Sequence, residues 1–295
     1  MIKWFADDTK LTTEKGKENN VLLFGGVVVD ENAEKEIIEL LKTVKRKYTY
    51  EDLPIKWNFK DLKNTYKEQG KSDDYKLMLE KSYEWRREIF EKSLNINYKI
   101  IISCLERYPS EKKLNTIKDK LINISFSQAL MRVGMYAKMR DFKQNFEIIL
   151  DWPEGSNPKP FNNEYYYAFN KGKSANNVSY HSGKLSDLKF NQSLYFTKCT
   201  HSSVLQFSDL IIGATKDYIL KTIYRDYKNS LGYELTELII KKYNGYPNKI
   251  IEYGLNYSPK NDNYEKVKLE IKNAVQQCIT AITADSTTSE SNRNC

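Results

Sequence analysis

The stretch Thr200-His201-Ser202-Ser203-Val204-Leu205-Gln206-Phe207-Ser208-Asp209-Leu210-Ile211-Ile212-Gly213-Ala214-Thr215 decides how the rest of the chain is read. Its pattern predicts a helix from about Ser202 to Tyr224. Val204, Leu205, Phe207, Leu210, Ile211, Ile212, Ala214, Tyr218 and Ile219 cover most of the circumference, so the helix is largely buried rather than amphipathic. One stripe breaks the apolar pattern: Ser202, Gln206, Asp209 and Gly213 share a helix face. An ionised Asp inside such a helix is costly to bury unless something pairs with it. Gly213 weakens a helix but lets another backbone or a ligand come close. Two readings of Asp209 stand side by side: an acid bonded to a buried backbone group or lysine, or a metal-holding or catalytic acid.

Upstream of this helix, Ile2–Asp8 alternates as a short strand, with Lys3, Phe5 and Asp7 on one face and Ile2, Trp4, Ala6 and Asp8 on the other. Its two terminal acids either open a polar turn or belong to a site. Val21–Val29 is almost wholly apolar, which predicts a central strand covered on both faces. The pair Gly25-Gly26 predicts a bulge or a close approach; no GxGxxG or GKS/T pattern follows, so it is not read as a nucleotide loop. Glu31–Lys47 reads as a helix. Lys56 lies between Ile55 and Trp57, either as a solvated lysine beside a packed indole or as a functional cation. Asp73–Ser93 reads as a helix, Asn97–Leu105 as a strand, and Ser110–Asp141 as a long helix N-capped by Ser110. Asn145–Asp151 is a strand that Trp152-Pro153 ends at once. Asp151 therefore marks a strand tip, as an ordinary turn acid or at the place where open α/β sheets bind ligands. The segment 154–190 is polar and reads as a long loop or insertion. Leu194–Cys199 is a fifth strand, Leu235–Tyr243 and Tyr264–Thr283 are helices, and Asp285–Cys295 has the composition of a disordered tail.

Composition narrows the chemistry. The 295 residues are 40% hydrophobic, enough for a sizeable core. The net charge of +8 suits a polyanionic partner but does not require one. Only two His are present, and the four Cys are scattered without a CxxC pair, so a thiolate or imidazole zinc site is not expected. A metal here would be a hard ion on carboxylates. The first residues lack the apolar core of a signal peptide, and no apolar stretch approaches a membrane span, so a cytoplasmic protein without membrane contact is expected.

The element order is strand with acid, strand, strand, long helix, strand with acid, strand, helix with acid. That is the order of a ribonuclease-H-like domain, an α/β fold with a mixed five-stranded sheet flanked by helices. In that fold the first and fourth strands lie side by side and a helix after the fifth crosses their C-terminal ends. Asp7, Asp151 and Asp209 would then converge. Clustered carboxylates would not all ionise without a cation among them. Two Mg²⁺ or Mn²⁺ ions there could activate water and stabilise the leaving oxygen of a phosphodiester.

The chain also resembles a large family of bacterial and phage proteins of unknown function. Asp7-Asp8-Thr9-Lys10 is similar to that family's opening Asp-Glu-Ser-Gly signature, and Leu205–Gly213 to its later Leu-Gln-X-Ala-Asp-Leu-Ile-X-Gly segment. Lys56-Trp57 and the strand Ile148–Asp151 add to the resemblance, which covers residues 1–225. Asp8 replaces the Glu, Thr9 the Ser and Lys10 the Gly, and Pro54 stands where an acid often precedes the lysine. The resemblance implies a ribonuclease-H-like (retroviral-integrase-like) fold and a metal-dependent nuclease. Its metal ligands would be Asp7, Asp8, Asp151 and Asp209, with Lys56 on the scissile phosphate. Thr9, Gln206, Ser202 and His201 would form the surrounding shell or contact substrate. The expected organisation is a domain over 1–225 with insertions at about 51–93 and 154–190, a helical extension over 226–284, and the tail. The alternatives are a ribonuclease-H-like module that binds nucleic acid or protein without cleaving, and an enzyme for another phosphorylated substrate such as a nucleotide.

Overall fold

The apolar run Val21–Asp30 lies in the middle of a six-stranded sheet, where both of its faces are covered. The computed structural model describes residues 1–9, 13, 14, 17, 18, 21–106, 114–152, 157–224 and 226–291. In chain order the strands and helices are β1 (Ile2–Asp8), the two-residue strands β2 (Thr13–Glu14) and β3 (Lys17–Glu18), β4 (Val21–Asp30), α1 (Glu31–Lys45), α2 (Lys63–Glu68), α3 (Ser72–Glu80), α4 (Ser82–Ser93), β5 (Tyr98–Glu106), α5 (Leu114–Arg140), β6 (Phe146–Asp151), α6 (Lys159–Lys171), β7 (Tyr195–Thr197), α7 (Ser203–Ile223), α8 (Leu231–Leu238), α9 (Ile250–Tyr253), β8 (Leu255–Ser258) and α10 (Asp262–Ser291). The main sheet runs β7-β6-β1-β4-β5-β8, and β2 pairs with β3 separately. Neighbours β1 and β4, and β4 and β5, are antiparallel. The pairs β1–β6, β6–β7 and β5–β8 are parallel. The chain is thus an α/β protein with a mixed sheet between helices.

Strand alternation divides the interior into two cores, one on each face. Phe5, Leu23, Val27 and Ile100 pack with α1, α4, α7, α8 and α10. Trp4, Phe24, Ile101 and Ile148 pack with α5 and α6 on the other side. Helix α7 carries the largest share of the first core: Leu205, Phe207, Leu210, Ile211, Ala214 and Tyr218 are fully buried, as expected of a helix apolar around most of its circumference. Its N-cap is Ser202, whose hydroxyl accepts from Leu205 N at 3.3 Å.

Several expectations need correction. Among the described residues the sheet has six strands rather than five, because Leu255–Ser258 adds a parallel edge strand to β5. A four-residue edge strand buried only at Leu255 and Tyr257 leaves too short an alternation to stand out in sequence. The segment after 225 is therefore not a purely helical extension, and Leu235, Tyr243, Leu255 and Val267 share the core of α7. The expected loop at 154–190 contains α6, which packs Phe161, Tyr165 and Ala168 into the second core. The expected helix Asp73–Ser93 is two helices, α3 and α4, meeting at Lys81. Leu235–Tyr243 is the end of α8 followed by a 3₁₀ turn. Helix α10 runs to Ser291, through most of the expected tail; residues 292–295 and the expected Ser110 cap lie outside the described residues. Among the described residues, no helix is long and apolar enough to cross a membrane.

The placement of α7 depends on one close approach. Ser208 Oγ donates to the Phe5 carbonyl of β1 at 3.0 Å. Beside it, a Cβ at Gly26 would stand 2.0 Å from the same carbonyl oxygen and 3.0 Å from Ser208 Oγ. The obstacle is strand backbone, which cannot swing away as a side chain can. Gly26→Ala should therefore destabilise the protein by about 1–3 kcal/mol or more, as overpacking does. Denaturant unfolding reads this directly, and an unchanged midpoint would show that α7 does not need this contact.

Candidate active site

The last paired residues of β1 and β6 are Ala6 and Leu150. One residue further on stand Asp7, next to last in β1, and Asp151, the last residue of β6; the two strands are parallel neighbours, whose backbones lie about 4.8 Å apart in a sheet. Alternation puts Asp7 on the side of Phe5, the face that α7 covers. Asp151 follows Ile149, which also packs on that core. Asp8 falls on the opposite side with Ala6. Helix α7 brings Asp209 to the same strand ends. Asp7, Asp8, Asp151 and Asp209 line one cavity of about 290 Å³, together with Lys56 and Thr9. Residues some 200 positions apart are thereby gathered at the C-terminal edge of the sheet, where α/β sheets place their ligands.

Each of three acids has one oxygen committed to a backbone amide. Asp7 Oδ1 accepts from Asp8 N at 2.7 Å, Asp151 Oδ1 from Cys199 N at 2.5 Å and Asp209 Oδ2 from Trp57 N at 2.5 Å. Such bonds fix the carboxylates against rotation. Burial, followed by repulsion from Asp151, Asp209 and Asp8, holds the Asp7 carboxyl well above its ordinary pKa. Burial likewise pushes Asp209 up to about 6, against the Trp57 amide and Lys56, which both favour its charged form. Burial opposes the Lys56 ammonium, yet its acidic surroundings raise its pKa above the usual lysine value. Cys199 is among those neighbours, but burial drives its thiol well above the ordinary range. The thiol is neutral at pH 7, so the carboxylates are what hold Lys56 charged.

The remaining expected residues divide. Thr9 stays at the cavity and ties β1 to β4, its hydroxyl accepting from Leu23 N at 3.0 Å. Gln206 is buried and works as a clamp: its Oε1 accepts from Ile55 N at 3.2 Å, and its Nε2 donates to Cys199 O at 3.2 Å and Thr200 O at 3.4 Å. It thus holds in place the two backbone segments that supply Lys56 and the Asp151 partner. Ser202 serves as the α7 cap, and exposed His201 sits in the preceding turn; neither lines the cavity.

Two further groups from α7 line the cavity, Lys216 and Asp217. They continue the Ser202–Gln206–Asp209–Gly213 stripe by one turn, a signal available by extending the same periodicity. Asp217 is buried and accepts from Trp57 Nε1 at 3.0 Å, Tyr227 OH at 2.7 Å and Asn229 Nδ2. Burial pushes its carboxyl up to about 6. The Trp57 ring lies directly on Gly213, where a Cβ would stand 2.1 Å from Trp57 Cγ. The Arg86 guanidinium also lies over the Trp57 ring, 4.8 Å from its centroid, and donates to Trp57 O. The ring is thus held by Gly213, Asp217 and Arg86, and its amide holds Asp209.

Among the described residues, no three His, Cys, Asp or Glu side chains form a ready-made metal-holding group. The acids share a cavity and each other's fields without closing a cage. This still fits a hard ion such as Mg²⁺, which is commonly bound by one or two carboxylates and completes its shell with water and phosphate oxygens. Buried acids that repel one another are the donor set such a cation would relieve.

Two outcomes follow. Between pH 4 and 6, Asp209 and Asp217 are protonated in the native protein but ionised in the unfolded chain. Native stability in EDTA should therefore increase as pH falls from 7 to 5, by on the order of 1–3 kcal/mol, read from denaturant midpoints at each pH. A steady loss over that range would show that these carboxyls titrate normally. Second, Gly213→Ala should displace Trp57 and change its fluorescence; an unaltered emission spectrum would mean that the ring does not depend on the glycine. Comparison of the chain with protein-family models, curated proteins and solved structures finds no match.

Proposed function

We propose that this chain is a metal-dependent phosphodiesterase acting on DNA or RNA, built on a ribonuclease-H-like sheet. The observation that carries the reading is the meeting of Asp7 and Asp151, at adjacent parallel strand tips, with Asp209 from a crossing helix in one cavity. Strand order supports it as well: three antiparallel strands, a fourth parallel to the first, and a fifth beside the fourth follow the ribonuclease-H-like plan, with β8 added at the far edge. The likeness of Asp7–Lys10 and Leu205–Gly213 to the bacterial and phage family favours the same chemistry.

A bound Mg²⁺ or Mn²⁺ would supply Lewis-acid stabilisation of a phosphoryl oxygen and lower the pKa of an attacking water. Asp7, Asp151 and Asp209 would hold it, with Asp8 completing the acidic rim. The chain's own part is orientation and charge. The backbone amides of Asp8, Cys199 and Trp57 fix the acids, and the Lys56 ammonium faces them to take a non-bridging phosphate oxygen and offset charge developing on it. Gln206 keeps the Lys56 loop and the Cys199 turn in register with α7.

A second reading is a ribonuclease-H-like module that binds nucleic acid without cleaving it. It draws on Lys56, which already neutralises part of the cluster from within. Asp209→Asn separates the two. The substitution retains an acceptor for Trp57 N and removes a carboxylate whose pKa is raised, so in EDTA the variant should melt at or above wild type. Wild type should gain thermal stability from millimolar Mn²⁺ and cleave single- or double-stranded DNA or RNA, and the variant should do neither. Wild type that binds oligonucleotides but neither gains from Mn²⁺ nor cleaves would leave the binding module standing instead.

A further inference from the structure

The cavity has a second wall that the acids and Lys56 do not use. Trp152 follows Asp151 directly and lines the cavity with Ile122, Asn123, Asn157 and Phe161. Trp152 is 44% exposed, unusual for the largest apolar side chain. It is nonetheless held in place. Its amide donates to Thr197 O at 2.9 Å, and its ring meets Phe196 at 6.0 Å between centroids and 80° between planes. Phe196 in turn meets Phe161 edge-on at 6.3 Å and 72°. This row ties an exposed indole to the second core. On the same wall, Asn123 Oδ1 is buried and has no hydrogen-bond partner among the described residues. A buried acceptor without a partner costs free energy that an incoming donor would recover.

We infer that this wall is a nucleobase subsite: Trp152 stacks on one base flanking the scissile phosphate, and Asn123 Oδ1 accepts a hydrogen bond from that base's exocyclic amine or ring N–H. The inference rests on the phosphodiesterase reading for the position of the phosphate, and it narrows the substrate to an unpaired nucleotide. A base within a duplex is stacked on both sides and paired along its edge, so it cannot present a face to Trp152 and an edge to Asn123 together. A cavity of about 290 Å³ is near the lower limit of ligand pockets and suits one nucleotide rather than a duplex groove. Aromatic side chains that stack on single bases are the usual means by which unpaired strands are held.

The test measures binding apart from cleavage. The four nucleoside 5′-monophosphates and base-free ribose 5-phosphate are titrated calorimetrically into wild type, Trp152→Ala and Trp152→Phe, all in Mn²⁺. The nucleotides should bind wild type roughly 10- to 100-fold more tightly than ribose 5-phosphate, the range expected of one stacked base. Trp152→Ala should lose that difference, and Trp152→Phe should keep most of it. Equal binding of ribose 5-phosphate and the nucleotides, no binding of either, or an unchanged preference in Trp152→Ala would each overturn the subsite. Base-dependent binding without cleavage of any oligonucleotide would refute the phosphodiesterase reading and leave the subsite in place. With cleavage present, unpaired strands should be cut faster than the matched duplex, and equal rates would overturn the inference.

Discussion

Ser208 donates to the Phe5 carbonyl, and the glycine beside that contact lets α7 lie against β1 and β4. The rest of the cavity depends on this approach. A helix raised by one methyl group would carry Asp209 away from Asp7 and Asp151 and would loosen the core formed by Leu205, Ile211, Ala214 and Tyr218. One helix therefore does two jobs with different faces. Its apolar circumference covers the sheet, and its single polar stripe supplies Gln206, Asp209, Gly213 and Asp217 to the strand ends. Packing fixes the distance, so the placement of these side chains inherits the precision of the core.

The cost of this arrangement lies in the carboxylates. Burial and mutual repulsion raise the Asp7 and Asp209 pKa values, which amounts to stored unfavourable energy at neutral pH. The surroundings limit that cost without removing it. Backbone amides accept the orienting task, Lys56 sits among the charges, and Asp217 draws its own hydrogen bonds from Trp57, Tyr227 and Asn229. The repulsion that still raises Asp7 and Asp209 favours an additional cation, and this electrostatic imbalance is the physical basis of the proposed activity. The exposed Trp152 on the facing wall gives the cavity an apolar side, so a ligand with both an anionic and an aromatic part matches it better than a simple anion.

The element order and much of the candidate site were legible in the sequence. The strand-tip acids stood out because alternation ends abruptly at Asp8 and at Trp152-Pro153, and Asp209 because it interrupts an otherwise apolar helix. Gln206 shares that stripe, and its hydrogen bonds make it a clamp on Ile55 and on the Cys199 turn. Ser202 was on the stripe only as the helix cap, since the first residue of a helix spends its side chain on an orphan amide. His201 carried no periodic signal at all and lies outside the cavity.

What the sequence determined by itself were the local facts: which segments alternate, which are apolar on both faces, and which acids end strands. Those follow from the geometry of single elements, whose periods of two and about 3.6 residues are written directly in the residue order. Tertiary structure decided everything that depends on packing between distant segments. It added Leu255–Ser258 as a sixth strand, because an edge strand of four residues exists only when β5 offers it a partner. It folded α6 into a stretch whose polar composition resembled a loop, because Phe161, Tyr165 and Ala168 found a core to enter. It also brought Trp152 to the cavity, since a side chain's distance from a site across the sheet is set by the fold and leaves no mark in its own neighbourhood of the chain.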